Sequence, residues 1–217
     1  MKPSRAIPAL LVATGCVTLV ASQLLGLTAL AIAAKFIASC SFIALALASG
    51  ARQSPYGVLI LLGLAFSWFG DMFLIGTSRS AFLAGLGAFL LAHLAYVTAF
   101  VTLGLCRRWT LAAALPVMLV GVAVLAWLGP QLPDALAWPV RLYTAAISLM
   151  VITAAGASGH AGNRLILAGA LMFFVSDLSV AALRLADTPA ATYTWGLPLY
   201  YGGQVALALS VSQSRSH

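Results

Sequence analysis

The chain has 217 residues, of which 63% are hydrophobic and 7% are charged, and its mean hydropathy is +1.06. Soluble domains carry about 25% charged residues, so this composition excludes a protein surrounded by water and leaves an integral membrane protein. The net charge of +7 is spread singly along the sequence, which argues against nucleic acid as a partner and suits contact with membrane lipid.

Eight apolar segments follow one another along the chain, and each is close to the roughly 20 residues that a helix needs to cross the hydrocarbon core. The first segment is too long for the apolar region of a typical signal peptide, so we expect it to be a transmembrane helix. The sequence therefore predicts an all-α membrane protein with eight transmembrane helices, forming a single integral membrane domain over residues 1–217. The segments cover residues 7–27, 28–49, 56–75, 81–105, 111–128, 137–156, 164–185 and 193–212.

The loops on the two sides of the membrane differ in charge. An even number of spans places both termini on one side, and the opposite side holds Arg79 and Arg184 with the acidic Asp134 and Asp187. The positive-inside rule therefore predicts that both termini lie in the cytoplasm. The basic residues collected on the side of the termini are Lys2, Arg5, Arg52, Arg107, Arg108, Arg164 and Arg215.

Two aspartates and a lysine lie at membrane depth, where a charge costs roughly 2.5–3.5 kcal/mol on insertion scales. At about 1.5 Å per residue, Asp71 lies roughly 21 Å from the cytoplasmic end of its segment, and Asp177 and Lys35 lie at about 20 Å. Tyr200 and Tyr201 reach a similar level. We therefore expect one polar cavity in the outer half of the membrane.

A shift of 106 residues superimposes two charged residues of the first half of the chain on charged residues of the second. It places Lys35 on Arg141, which is nearer the outer surface, and Asp71 on Asp177. Charged matches are rare in this composition, so we predict two copies of a four-helix unit, each pairing an aspartate with a cation. Four is an even number of spans, so the copies would be parallel. They would cover residues 7–105 and 111–212.

Three further polar residues lie within the apolar segments and could line the expected polar cavity. Ser67 precedes Asp71 by one helical turn, and His93 and Tyr96 share a face of the fourth segment. The simpler alternatives are an ion pair between Lys35 and Asp71 that only joins two helices, an anchor at the membrane interface for Arg141, and hydrogen bonds between helices for the other side chains. The candidate substrate-binding residues are therefore Lys35, Arg141, His93, Tyr96, Tyr200, Tyr201 and Ser67.

Several catalytic motifs are missing from the sequence. It has no G-x-S-x-G nucleophile motif and no nucleotide-binding loop, and its three histidines are too scattered for a metal site. Serine hydrolases, ATPases and zinc enzymes are therefore not the first interpretation. What remains is acid–base chemistry without metal or cofactor, with Asp71 and Asp177 as the catalytic residues.

Four runs of residues, taken in order, are similar to a known family. They are F-S-W-F-G-D (66–71), F-L-L-A-H-L-A-Y (89–96), P-V-R-L-Y-T-A-A-I-S-L-M (139–150) and G-A-L-M-F-F-V-S-D (169–177). Together they resemble the YhhN-like lysoplasmalogenase family of membrane proteins. The resemblance implies an enzyme of the bacterial inner membrane that hydrolyses the vinyl ether bond of lysoplasmalogens to a fatty aldehyde and a glycerophospho-ethanolamine or -choline. It also implies that Asp71 and Asp177 are essential.

The implied reaction suits two carboxyl groups in different states. Vinyl ether hydrolysis begins with protonation of an alkene carbon, so the site needs one neutral carboxyl as acid and one ionised carboxylate that stabilises the cation and activates water. The sequence leaves open which aspartate takes which role, and Lys35 and Arg141 could alternatively bind the substrate phosphate. A small lipid or solute transporter is the main alternative, because repeats with charges at mid-membrane also suit alternating access. A hydrolase of another lysolipid is a third hypothesis, and the oligomeric state is open.

Overall fold

The computed structural model describes residues 3–186, 188 and 191–214. Within these residues the chain forms eight α-helices joined by short connections, with 3₁₀ turns at Ala51–Gln53 and Gly129–Gln131. The predicted all-α fold is confirmed. The helices are α1 (Pro3–Leu24), α2 (Thr28–Ala48), α3 (Pro55–Phe73), α4 (Arg79–Thr102), α5 (Arg107–Leu128), α6 (Asp134–Ala161), α7 (Arg164–Arg184) and α8 (Tyr193–Gln213).

Among the described helices, α1 to α7 are long and apolar enough to cross a membrane by length and composition. The eighth helix, α8, has 21 residues and is not among those seven helices. It packs against α7, α2, α1 and α3, so protein surrounds much of its length and its polar side chains need not face lipid. Tyr200, Tyr201 and Gln204 are all buried in this way.

The starts of three helices follow from local capping chemistry at the predicted breaks. The Ser54 hydroxyl accepts the backbone N–H of Gly57 at the start of α3, and Ser78 does the same for Ala81 at the start of α4. The side chain of Asn163 caps α7. Each cap supplies an acceptor that the first helical turn lacks.

Helix α6 is longer than the sequence predicted, because the expected turn after residue 156 is helical as far as Ala161. Gly159 lies within this extension and makes room for a neighbour: a Cβ there would collide with the indole ring of Trp109 on α5. The turn comes later, at Gly162, whose φ of 65° lies in the left-handed region. Close helix packing and turn formation both favour glycine, and the sequence alone did not separate them.

The helices pack in a similar way in the two halves of the chain. The hairpin of α3 and α4 matches that of α7 and α8, and the fourth helix of each half packs against the second helix of the other, α4 on α6 and α8 on α2. This is the arrangement that two parallel copies would give, and the duplication itself stays a prediction. The membrane orientation also stays a prediction, and three residues used for it, Lys2, Asp187 and Arg215, lie outside the described residues.

Candidate active site

A cavity of about 510 Å³ opens among the helices at the end of the bundle where α1 meets α2, α3 meets α4 and α7 meets α8. Both intramembrane aspartates, Asp71 and Asp177, line it. Lys35, Tyr143 and Tyr200 line it as well, and most of the remaining wall is aliphatic or aromatic. The structure thus brings the predicted carboxylates to one chamber, which is shaped for a largely apolar ligand.

Asp71, on α3, is held by three groups. The Lys35 ammonium lies 3.5 Å from Oδ1, and the hydroxyls of Ser39 and Tyr200 donate to Oδ2 at 2.6 and 2.8 Å. The Asp71 side chain is only 3% exposed. A buried carboxylate with a cation and two hydroxyl donors has the partners that an ionised group requires.

Asp177, on α7, has different surroundings. The Tyr143 hydroxyl donates to its Oδ2 at 2.5 Å, and Nε2 of His93 lies 3.7 Å from the same oxygen. The side chain is 18% exposed, more than that of Asp71. In the described part of the chain no lysine or arginine lies within ion-pair distance of this carboxyl group.

The predicted ion pair of Arg141 with Asp177 is wrong. Arg141 is exposed, and its guanidinium lies over the ring of Trp138, 5.4 Å from the centroid. Two residues along an α-helix correspond to a rotation of about 200°. Because Tyr143 points into the cavity, Arg141 points away from it, and the repeat shift of 106 residues matched the charge without matching the helix face.

An aromatic cluster connects the surroundings of the two carboxyl groups. The Phe173 ring packs edge to face against Tyr200 and His93, with centroid distances of 5.3 and 4.9 Å. Phe89 packs against both Phe173 and Tyr200. Phe173 lies one helical turn before Asp177 on α7. Its ring contacts both His93, which lies near Asp177, and Tyr200, which donates to Asp71.

Four of the predicted substrate-binding residues lie behind the cavity wall. The Tyr96 hydroxyl donates to Gln204 at 2.9 Å and lies 3.4 Å from the Ser67 hydroxyl. Tyr201 lies 3.3 Å from Ser39 through its hydroxyl. His93 is fully buried, with Nδ1 3.2 Å from the sulfur of Met150. Their contacts are those of side chains that position the cavity wall. The four are His93, Tyr96, Tyr201 and Ser67.

Two residues of the site were missed in the sequence analysis, and both carried a signal. Ser39 follows Lys35 by one turn of α2, the spacing that puts two side chains on one face. Tyr143 lies within one of the runs quoted for the family resemblance, two residues after Arg141. In each case the available clue was a polar residue in an apolar helix, within four positions of a basic residue.

Close packing of α3 on α4 depends on Gly70. A Cβ at this position would come within 2.5 Å of the Phe89 ring, which supports Tyr200. We expect Gly70→Ala to lower the free energy of unfolding by about 1–3 kcal/mol, as overpacking does, and to displace Tyr200 from Asp71. Thermal unfolding of the purified protein in detergent checks the first effect.

Gly87→Ala on α4 is the matched control, because nothing lies within 4 Å of the added methyl group. It is expected to leave the unfolding temperature unchanged or slightly raised, since alanine favours the helix. Equal effects of the two substitutions would contradict the packing argument.

Metal-binding side chains do not cluster in the described ranges: no three histidine, cysteine, aspartate or glutamate side chains come together as a set of ligands. The chemistry that the chain itself offers at the cavity is that of carboxyl groups, hydroxyls, one lysine and one arginine. Such groups transfer protons and stabilise charge.

Comparison with known proteins adds relatives along most of the chain. The sequence profile of the YhhN family matches residues 30–211. Lysoplasmalogenase TMEM86A of Bos taurus is 33% identical over 172 residues, which are 74% of this chain and 68% of the relative. The human TMEM86A lysoplasmalogenase is 33% identical over 167 residues with the same coverage. A lysoplasmalogenase of Mycobacterium bovis is 41% identical over 78 residues, 34% of this chain and 30% of the relative. No solved structure matches.

Proposed function

Because this chain belongs to the YhhN family, we propose that it is a membrane-embedded lysoplasmalogenase. It hydrolyses the vinyl ether of a lysoplasmalogen to a fatty aldehyde and a glycerophospho-ethanolamine or -choline. Its catalytic groups are Asp71 and Asp177, acting without a metal, and it lies in a bacterial inner membrane with both termini in the cytoplasm. The observation that carries the proposal is that two carboxyl groups with contrasting partners line one apolar cavity.

Asp177 is the acid in this proposal. Its hydrogen-bond partner is the Tyr143 hydroxyl, and the adjacent His93 has Nδ1 against the Met150 sulfur, a weak acceptor. Among the described residues no lysine or arginine lies within ion-pair distance of Asp177, which distinguishes it from Asp71 and favours it as the group that gives up a proton. Asp71 is the ionised partner, because Lys35 and two hydroxyls compensate its charge.

The reaction then balances with water as the only co-reactant. The proton of Asp177 moves to the β-carbon of the vinyl ether, using the alkene electron pair, and leaves an oxocarbenium ion next to the ether oxygen. The Asp71 carboxylate stabilises this cation and takes a proton from the water that adds to it. The resulting hemiacetal breaks its bond to the glycerol oxygen, which takes up a proton. The products are the aldehyde and the alcohol, and the remaining proton returns to Asp177.

The test is aldehyde release by the purified protein in lipid nanodiscs. A 1-alkenyl lysophosphoethanolamine should yield fatty aldehyde, whereas its 1-alkyl analogue, which has no double bond to protonate, should yield none. In D₂O, with immediate borohydride reduction to prevent exchange, the product should carry one deuterium on the carbon next to the former aldehyde carbon. Absence of aldehyde would refute the proposed activity, and aldehyde without that deuterium would refute protonation at carbon.

A further inference from the structure

One arginine lies at the mouth of the cavity and has no part in the chemistry described above. Arg184 is the last residue of α7, is exposed, and lines the cavity. Its guanidinium donates to the backbone carbonyl of Leu74 at 3.1 Å, which fixes its position at the end of α3. A guanidinium has five N–H donors, so this bond leaves most of them available.

We propose that Arg184 binds the phosphate of the lysolipid substrate, an inference that rests on the proposed function and adds a specificity-determining residue to it. Lys35 and Arg184 are the basic residues among the described side chains that line the cavity. Lys35 is engaged by the carboxylate of Asp71, whereas the partner of Arg184 is a neutral carbonyl. Among the described side chains no carboxylate lies within ion-pair distance of Arg184, and a guanidinium matches the geometry of two phosphate oxygens.

The spacing along α7 agrees with the length of the substrate. Arg184 follows Asp177 by seven residues, two helical turns, so both lie on one face with a rise of about 10 Å between them. Seven bonds separate the β-carbon that Asp177 protonates from the phosphorus, which spans about 8 Å at the advance per bond of an extended chain. The two lengths are comparable, so one substrate molecule can reach both side chains.

This arrangement defines the orientation of the substrate in the cavity. The anionic headgroup lies at the helix ends near Arg184, the vinyl ether lies beside Asp177, and the alkyl chain occupies the apolar wall. The same enzyme should then discriminate between a lysoplasmalogen and an alkenylglycerol that lacks the phosphate.

The first test is equilibrium binding, which requires no turnover. The probes are 1-alkyl lysophosphoethanolamine and 1-alkylglycerol, which have the same chain but differ in the phosphate group. Arg184→Gln is expected to weaken binding of the phospholipid about ten-fold and to leave binding of the alkylglycerol unchanged. Arg184→Lys should recover part of the loss. The control is Arg79→Gln, since Arg79 is an exposed arginine at the same end of the bundle and does not line the cavity.

The second test is catalytic and uses 1-alkenyl lysophosphoethanolamine and 1-alkenylglycerol. Arg184→Gln should raise KM for the phospholipid about ten-fold with little change in kcat, and should not change kinetics with the alkenylglycerol. Equal losses on both substrates, or no loss in binding or in KM, would overturn the role of Arg184. If the wild-type protein releases no aldehyde from either substrate, the proposed activity fails, and the binding comparison still decides whether Arg184 recognises phosphate.

Discussion

Asp177→Asn should lower the kcat of aldehyde release by about 100-fold or more, because positioned acid–base groups contribute roughly 10²–10⁴-fold to rate. Asparagine keeps the shape of the side chain and an oxygen that can accept from Tyr143, so the folded structure should persist. What it lacks is the acidic proton. Thermal unfolding and aldehyde release, measured on one preparation, separate the two effects.

Asp134→Asn is the control for the Asp177 substitution. Asp134 is an exposed carboxylate at the start of α6 and does not line the cavity, so its amide should retain full turnover. Turnover of Asp177→Asn above half the wild-type value would eliminate Asp177 as the acid.

A companion change, Tyr143→Phe, removes the hydroxyl bonded to Asp177. It should lower kcat less than Asp177→Asn does, because the carboxyl proton remains.

Much of the fold could be predicted from the sequence because few backbone structures are stable in the hydrocarbon core of a membrane. An apolar run of sufficient length has to be helical, since every backbone polar group must be satisfied within it. That reasoning also picked out Lys35, Asp71 and Asp177, because charge is rare at such depth. The prediction that Lys35 reaches Asp71 is confirmed by the distance of 3.5 Å between Nζ and Oδ1.

The contacts that decide the chemistry could not be predicted in the same way. Tyr200 bonds Asp71 across 129 positions of sequence, and His93 approaches Asp177 from the other half of the chain. Such partners depend on which helices pack together, and hydropathy does not specify that. The wrong prediction for Arg141 has a related cause. The 106-residue shift matched its charge to that of Lys35, but it did not show which face of α6 the side chain lies on.

Lys35→Met should destabilise the protein strongly, because it leaves the Asp71 carboxylate buried without its cation. Removing one partner of a buried ion pair typically costs about 3–5 kcal/mol. The double variant Lys35→Met with Asp71→Asn has no buried charge left at this position, and Ser39 and Tyr200 can still donate to the amide oxygen. The free energy of unfolding should therefore recover in the double variant, as measured by unfolding in detergent.

Activity should not recover in that double variant, although stability does. This difference separates a structural role of the Lys35–Asp71 ion pair from a catalytic role of the Asp71 carboxylate. If Lys35 and Asp71 only join α2 to α3, replacing both restores a folded and active enzyme. If the Asp71 carboxylate stabilises the oxocarbenium ion, the double variant is stable and inactive, because an amide has no negative charge to place beside the cation. Lys35→Arg is the charge-preserving control, and its retained stability would show that the loss in Lys35→Met arises from the missing cation.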